Sequence, residues 1–181
     1  MKAKHIIPQA LDTVAEVDFR QLVNNCIYGL VSFPGSDEMI MESSVNTSKN
    51  FYSNPQLIAV MLNTLLINCF KYKKDGIVSR VKIGVEYDNY KAILSIADNG
   101  KGINEKGIGK IFELFNKNNN AGAGTGLYMV NEIVKKLGGK ISVESAENIG
   151  TEFIIEIPNQ IHIQNVLPHP ASLQKELKYF H

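Results

Sequence analysis

An α/β fold, built as a two-layer α/β sandwich with a mixed, mostly antiparallel sheet and helices on one face, is predicted for this 181-residue chain. Three observations carry the prediction. Val81, Ile83, Val85 and Tyr87 alternate with polar or small residues, and Ala92, Leu94 and Ile96 continue the pattern across a turn at Asp88-Asn89. Three longer segments instead repeat their apolar residues at helical spacing. The order helix, strand, helix, hairpin, helix, hairpin then lets the strands share one sheet while the helices cover one side.

Taken in order, residues 1–11 carry little pattern. Asp12 or Asp18 supplies a cap for a first helix reaching about Val31, with Phe19, Leu22, Val23, Cys26, Ile27 and Leu30 on its apolar side. Phe33-Pro34-Gly35-Ser36-Asp37 marks a turn, residues 39–45 a short strand and residues 46–54 a polar connection. Asn54 followed by Pro55 opens the second helix, where Ile58, Met61, Leu62, Leu65 and Cys69 crowd one side. Thr64, Asn68 and Lys71 fall together on an edge of that stripe, with Tyr72 a turn beyond Asn68. Such groups are costly to bury without partners, although a solvated helix edge explains the same pattern.

The first hairpin ends in Asp98, which the alternation points inward. Residues 108–115 are expected to form a short helix carrying Ile111, Phe112, Leu114 and Phe115. Val130, Ile133, Val134 and Leu137 give the third long helix its apolar face, and Gly138-Gly139 stops it. Residues 140–145 and 151–157 form a second hairpin around a turn at 147–150, with Thr151, Phe153, Ile155 and Ile157 on one face. Pro158 ends the pattern.

Composition narrows the function classes. A net charge of +1 gives no electrostatic reason to expect nucleic acid or a membrane surface. Cys26 and Cys69 sit in apolar helical runs and read as small buried hydrophobes, which suits a reducing, cytoplasmic setting. No apolar stretch approaches the ~20 residues of a membrane helix, so no direct membrane contact is expected. His5, His162, His169 and His181 have no metal-ligand spacing.

The chemistry concentrates between residues 98 and 130. Asp98-Asn99-Gly100-Lys101-Gly102-Ile103 follows a strand, and Gly122-Ala123-Gly124-Thr125-Gly126-Leu127 opens a helix. Glycine permits close backbone approach, and a helix start aims free N–H groups at an anion. The second cluster therefore reads as a phosphate site and the first as a turn beside a buried carboxylate. Between them the polar run Asn116-Lys117-Asn118-Asn119-Asn120 reads as a mobile lid. Either cluster alone is also what an ordinary turn looks like.

With the second helix added, the chain resembles the catalytic and ATP-binding domain of sensor histidine kinases, in the GHKL ATPase superfamily. The resemblance covers about residues 18–158 and implies a Bergerat-type ATP-binding fold. Five segments carry it: residues 64–72 as the asparagine box, Asp98 to Ile103, Ile111-Phe112-Glu113-Leu114-Phe115, Gly122 to Leu127, and Gly150-Thr151-Glu152-Phe153. It implies that Asp98 accepts the adenine amino hydrogen, with Thr151 completing the base pocket and Gly100 and Gly102 shaping the turn. Asn68 would give its amide oxygen to Mg²⁺, Lys71 would approach the phosphates and Tyr72 the adenine face. The N–H groups around Gly122, Gly124, Gly126 and Leu127 would cradle the triphosphate. Lys110 and Lys117 are candidate lid cations, and Phe112 and Phe115 lid anchors.

Two departures qualify the resemblance. The family usually has a second asparagine four residues before the metal-binding one, where this chain has Thr64. Asn63 does not replace it, lying about 140° round the helix from Asn68. The resemblance also places the phosphoacceptor histidine on a helical hairpin, a dimerisation domain absent from this chain. Residues 1–17 are then expected to be a linker or the end of that domain, and residues 159–181 a tail or linker.

The expected activity is transfer of the ATP γ-phosphoryl group to that histidine, with a response regulator downstream, whether or not the parent protein is membrane-attached. The alternatives are a stand-alone serine kinase of the anti-sigma-factor type, usually acidic where Thr64 stands, and a nucleotide-sensing module without catalysis. A topoisomerase, mismatch-repair or chaperone type of ATPase would need a glutamate on the second helix, which has none.

Overall fold

The computed structural model describes residues 13–32, 38–47, 49–113 and 125–161. Its main sheet has five strands in the order β2 (Met39–Thr47), β4 (Ser79–Tyr87), β5 (Lys91–Asp98), β7 (Gly150–Pro158) and β6 (Lys140–Ala146). Only β2 and β4 run parallel; the other three pairings are antiparallel, as the hairpin pattern requires. A further pair, β1 (Ala15–Glu16) and β3 (Tyr52–Ser53), joins two segments in which the sequence shows no strand pattern. Two residues are too few for alternation to be legible.

Three helices form the second layer: α1 (Phe19–Gly29), α2 (Pro55–Lys71) and α4 (Gly126–Lys136). Asp18, rather than Asp12, caps α1, its carboxylate accepting from the Gln21 N–H at 2.9 Å. Asn54 caps α2 in the same way through the Leu57 N–H. α2 packs against α1, α4 and β5, so its apolar residues go well beyond one stripe. Leu57, Ile58, Met61, Leu62, Leu65, Leu66, Cys69 and Phe70 are all buried. Each large one contributes on the order of 1.5–3 kcal/mol on leaving water, which makes α2 the element around which the domain is held.

The hairpin β4–β5 forms with Val81 opposite Asp98 and Val85 opposite Leu94, its turn falling one residue later than expected, at Asn89-Tyr90. Val81, Ile83, Val85, Ala92, Leu94 and Ile96 all face the helices. At the end of the sheet far from Asp98, the rings of Phe19, Phe51 and Tyr87 meet with centroids 5.0 to 5.9 Å apart.

The short helix expected at residues 108–115 is displaced. The helix α3 spans Glu105–Ile108, capped by the Asn104 side chain on the Gly107 N–H at 2.9 Å, and turns follow through residue 113. The Asn104 cap sets the start, and Gly107 and Gly109 make poor helix interior, so the apolar spacing farther on does not decide the position. Leu114 and Phe115 lie outside the described residues.

Folded contacts reach past both ends of the 18–158 span. Val17 is 3% exposed and hydrogen-bonds through its N–H to the Phe51 carbonyl at 2.8 Å. Asn159 is buried, with its N–H on Tyr90 and its side-chain amide bridging Tyr52 and Asn50. Among the described residues no helix is long and apolar enough to cross a membrane.

Candidate functional site

β5, α2 and the hairpin β6–β7 converge on a cavity of about 830 Å³. Asp98, the last residue of β5, stands on its floor, directly opposite Thr151 of β7. Leu65, Ile103, Ile111, Leu127 and Phe153 supply apolar wall. Asn68 and Tyr72 come from the C-terminal end of α2. An inward carboxylate at the floor, beside these apolar side chains, is the arrangement of a pocket that takes a largely apolar, planar group and fixes it by a few polar contacts.

Burial pushes the Asp98 carboxyl above the ordinary aspartate range, against the opposing pull of hydrogen bonds from the Gly100 N–H, the Cys69 thiol and the Thr151 N–H. The Gly100 bond is 2.8 Å long and closes the turn after the strand. The Cys69 thiol lies behind the carboxylate and also reaches the Leu65 carbonyl at 3.3 Å; burial, then the Asp98 charge, push its own pKa up. Cys69 is thus an unreactive core thiol beside the site, not a nucleophile.

The turn after Asp98 is locked by close approach. A Cβ on Gly100 would lie 2.6 Å from the Tyr72 carbonyl oxygen, and the Lys101 N–H donates to that same oxygen at 2.9 Å. Gly102 has φ +64° and packs on the Ala146 carbonyl, leaving no room for a side chain. Gly150, with φ +148°, packs in the same way on the Asp98 carbonyl.

The expected residues divide between cavity wall and support. Asn68, Tyr72, Asp98, Gly102, Leu127 and Thr151 line the cavity. Lys71 does not; its ammonium stands 5.3 Å from the centre of the Tyr72 ring. Thr64 is taken up by its own helix, its hydroxyl donating to the Val60 carbonyl at 2.8 Å. A Cβ on Gly126, at the start of α4, would come 3.3 Å from the Thr64 methyl, so Thr64 sets how closely α4 approaches α2. The Thr125 side chain does not cap α4. Phe112 packs edge-on to Phe153 at 6.4 Å, anchoring the segment that leaves the pocket floor. Gly122, Gly124, Phe115 and Lys117 lie outside the described residues, as does the run at 116–120; Lys110 is described and exposed.

Sequence reading missed several wall residues: Lys74, Asp75, Lys101, Asn104, Lys106 and Asn148. They come from loops that meet only in three dimensions, with no periodicity to announce them. Lys74 joins two of those loops, donating to the Asn148 carbonyl at 3.0 Å. Asn148 itself has φ +62°, a conformation asparagine tolerates better than most residues. Among the described residues the Asn68 amide has no hydrogen-bond partner, and no cluster of three or more acidic, histidine or cysteine side chains is placed to hold a metal.

Residues 53–161 match the family described as histidine kinase-, DNA gyrase B-, and HSP90-like ATPase. Sensor protein EvgS of Escherichia coli strain K12 is 28% identical over 156 residues, 82% of this chain and 13% of its own length. Sensor histidine kinase GraS of Staphylococcus haemolyticus strain JCSC1435 is 32% identical over 123 residues, 64% of this chain and 34% of its own. The chain thus spans only a minor part of either relative. Among solved structures, the nucleotide-free catalytic domain of histidine kinase ThkA superposes with a TM-score of 0.71 at 24% identity, covering 81% of this chain and 96% of that one. Full-length ShkA in complex with AMPPNP gives 0.71 at 23% identity, covering 81% of this chain and 31% of that one. These two structures share the fold.

Proposed function

The chain belongs to the histidine kinase-, DNA gyrase B-, and HSP90-like ATPase family, and from that premise we propose that its pocket binds ATP with Mg²⁺ as the catalytic domain of a two-component sensor histidine kinase. The observation that carries the reading is the Asp98 carboxylate, half-buried at a strand end beside apolar walls and held by the Gly100 N–H. It suits the exocyclic amine of a purine, which needs an acceptor at the end of a slot otherwise apolar. Thr151 stands beside it as a second polar group, and Tyr72 and Leu127 offer faces for the ring and sugar.

Asn68 fits a single protein oxygen for Mg²⁺, a cation that keeps most of its waters and needs no cluster of carboxylates. Its amide is unengaged among the described residues, one turn along α2 from Thr64, the residue that meets Gly126. Gly126 and Leu127 open that helix, whose N-terminal dipole favours phosphate oxygens. Bound ATP would supply the transferable γ-phosphoryl group, and the protein's part is to position it and offset its charge.

The acceptor proposed is a histidine on a separate dimerisation domain, with a response regulator taking the phosphoryl group afterwards. The composition of α2, which has no aspartate or glutamate to activate water or a hydroxyl, supports it. Neutral imidazole is already a nucleophile near neutral pH and needs less help. The chain is therefore expected to turn over ATP very slowly and to leave itself unlabelled by γ-labelled ATP. Acid-labile label should appear on the histidine hairpin of its own kinase added in trans. Steady multiple-turnover hydrolysis by the purified chain, or acid-stable label on it, would contradict the reading.

A further inference from the structure

Behind the pocket floor a single hydroxyl joins the ends of two strands to the loop after a third, and no motif in the sequence points to it. Ser145, one residue before the end of β6, accepts from the Ile103 N–H at 2.8 Å. Its oxygen also stands 2.8 Å from the Gly150 carbonyl and 2.9 Å from the Thr151 hydroxyl. Protons decide the direction of these bonds. A carbonyl oxygen only accepts, so the one Ser145 proton goes to Gly150. The Thr151 hydroxyl must then donate to Ser145. Its own proton is thereby turned away from the cavity, and a lone pair is what it shows to a ligand.

We propose that Ser145 is a specificity-determining positioning residue: by drawing the Thr151 proton, it makes both polar groups of the pocket floor, Asp98 and Thr151, hydrogen-bond acceptors. A floor of two acceptors selects a base that brings an amino group and rejects one that brings a carbonyl there, so a 6-amino purine is taken over a 6-oxo purine. The same hydroxyl holds Ile103, the residue after the locked Gly102 turn, against the β6–β7 hairpin. Floor polarity and the start of the loop leaving the floor are therefore set by one atom. Asp98 alone would not discriminate as strongly. A 6-oxo purine carries a ring N–H that a carboxylate accepts, and the rejection comes from its carbonyl oxygen meeting the Thr151 lone pair.

The inference rests on the adenine-binding reading, and the experiment separates the two. ADP and IDP affinities are measured by calorimetry on the full chain for wild type, Ser145→Ala, Ser145→Cys and Ser145→Thr. In Ser145→Ala the Thr151 hydroxyl is free to turn and donate to the 6-oxo group, so the ADP-to-IDP affinity ratio should fall by about fivefold or more, the worth of one hydrogen bond. Ser145→Cys keeps the volume with a weak donor and should fall in the same direction, which covers a failure of the alanine variant to fold. Ser145→Thr keeps the hydroxyl and should restore the ratio. A general loosening of the hairpin would weaken both nucleotides together and leave the ratio unchanged. An unchanged ratio in a folded Ser145→Ala or Ser145→Cys variant overturns the proposal. Failure of the wild type to bind ADP would remove the adenine reading, and this inference with it.

Discussion

At the floor of the pocket, Gly102 and Gly150 stand so close to the Ala146 and Asp98 carbonyls that neither can carry a side chain. At the rim, Asn68 and Lys74 reach the cavity from the end of α2 and the loop after it. The floor is made by backbone on backbone, and its polar groups are satisfied from within: Asp98 by Gly100, Thr151 by Ser145, Ser145 by Ile103 and Gly150. The rim is made by side chains, and the Asn68 amide there is unengaged among the described residues. The difference teaches that shape is fixed where the base would sit and charge is left adjustable where phosphates would sit. Changes at the floor should therefore act on folding and on every ligand, whereas changes at the rim should act only on how the charged end is held.

The largest effect is expected from Gly102→Ala. Alanine at φ +64° costs about 1–2 kcal/mol before any clash is counted, and its methyl would overlap the Ala146 carbonyl besides. The turn and the β6–β7 hairpin would have to separate, so the melting temperature and nucleotide affinity should fall together. A variant that melts like wild type would show that the floor is less rigid than its contacts imply.

Asp98→Asn is expected to come next, striking ligand binding more than the fold. The amide can present its NH₂ where the carboxylate accepted, leaving a buried donor unpaired at about 1–3 kcal/mol or more. ATP and ADP affinity should be nearly abolished, and calorimetry giving equal affinities would remove Asp98 from base recognition. Stability carries a second, independent signature. Burial holds the Asp98 pKa above its ordinary range, so the native state binds that proton more tightly than the unfolded chain. The stability linked to this group is full below the ordinary aspartate range and is lost as pH rises through the raised value. The difference between variant and wild type should thus move in the variant's favour over that window, as denaturant melts at successive pH values would read. A difference flat with pH would mean that the carboxylate is better hydrated than its surroundings suggest.

The same division between floor and rim explains what the sequence made legible. Alternation found β4 and β5 and aimed Asp98 inward, because a strand's period of two leaves the last residue no choice of face. Helical spacing found α2, and Asn54-Pro55 marked its start, because caps are local chemistry. Thr64 was legible as a departure from the family pattern, but its engagement with Val60 and Gly126 was not, since that depends on how close α4 comes. Ser145 was invisible: a serine in a strand carries no signal until Ile103, Gly150 and Thr151 are brought around it. Asn159 was missed likewise, because its partners Asn50, Tyr52 and Tyr90 are remote in sequence. Short or irregular pieces, β1, β3 and α3, follow from tertiary pairing and one cap rather than from periodicity.

The smallest effect on the fold, and the sharpest test of the rim, is Asn68→Ala. Asn68 is partly exposed on α2, and its amide has no partner to lose among the described residues, so alanine, a better helix former, should leave the melting temperature within about 0.5 kcal/mol of wild type in stability. Adenosine meets only the floor, and ADP without metal makes no contact that runs through Mg²⁺, so both should bind as before. What should change is the response to Mg²⁺: removing the one amide oxygen offered to the cation should flatten the dependence of ATP affinity on its concentration. Titrating ATP with and without Mg²⁺ on both proteins gives a ratio that a folding defect does not move, because such a defect lowers both titrations alike. If the ratio is the same in Asn68→Ala as in wild type, Asn68 is not the metal's protein ligand. If binding without metal falls as well, Asn68 belongs with the floor and the division between the two regions fails at this residue.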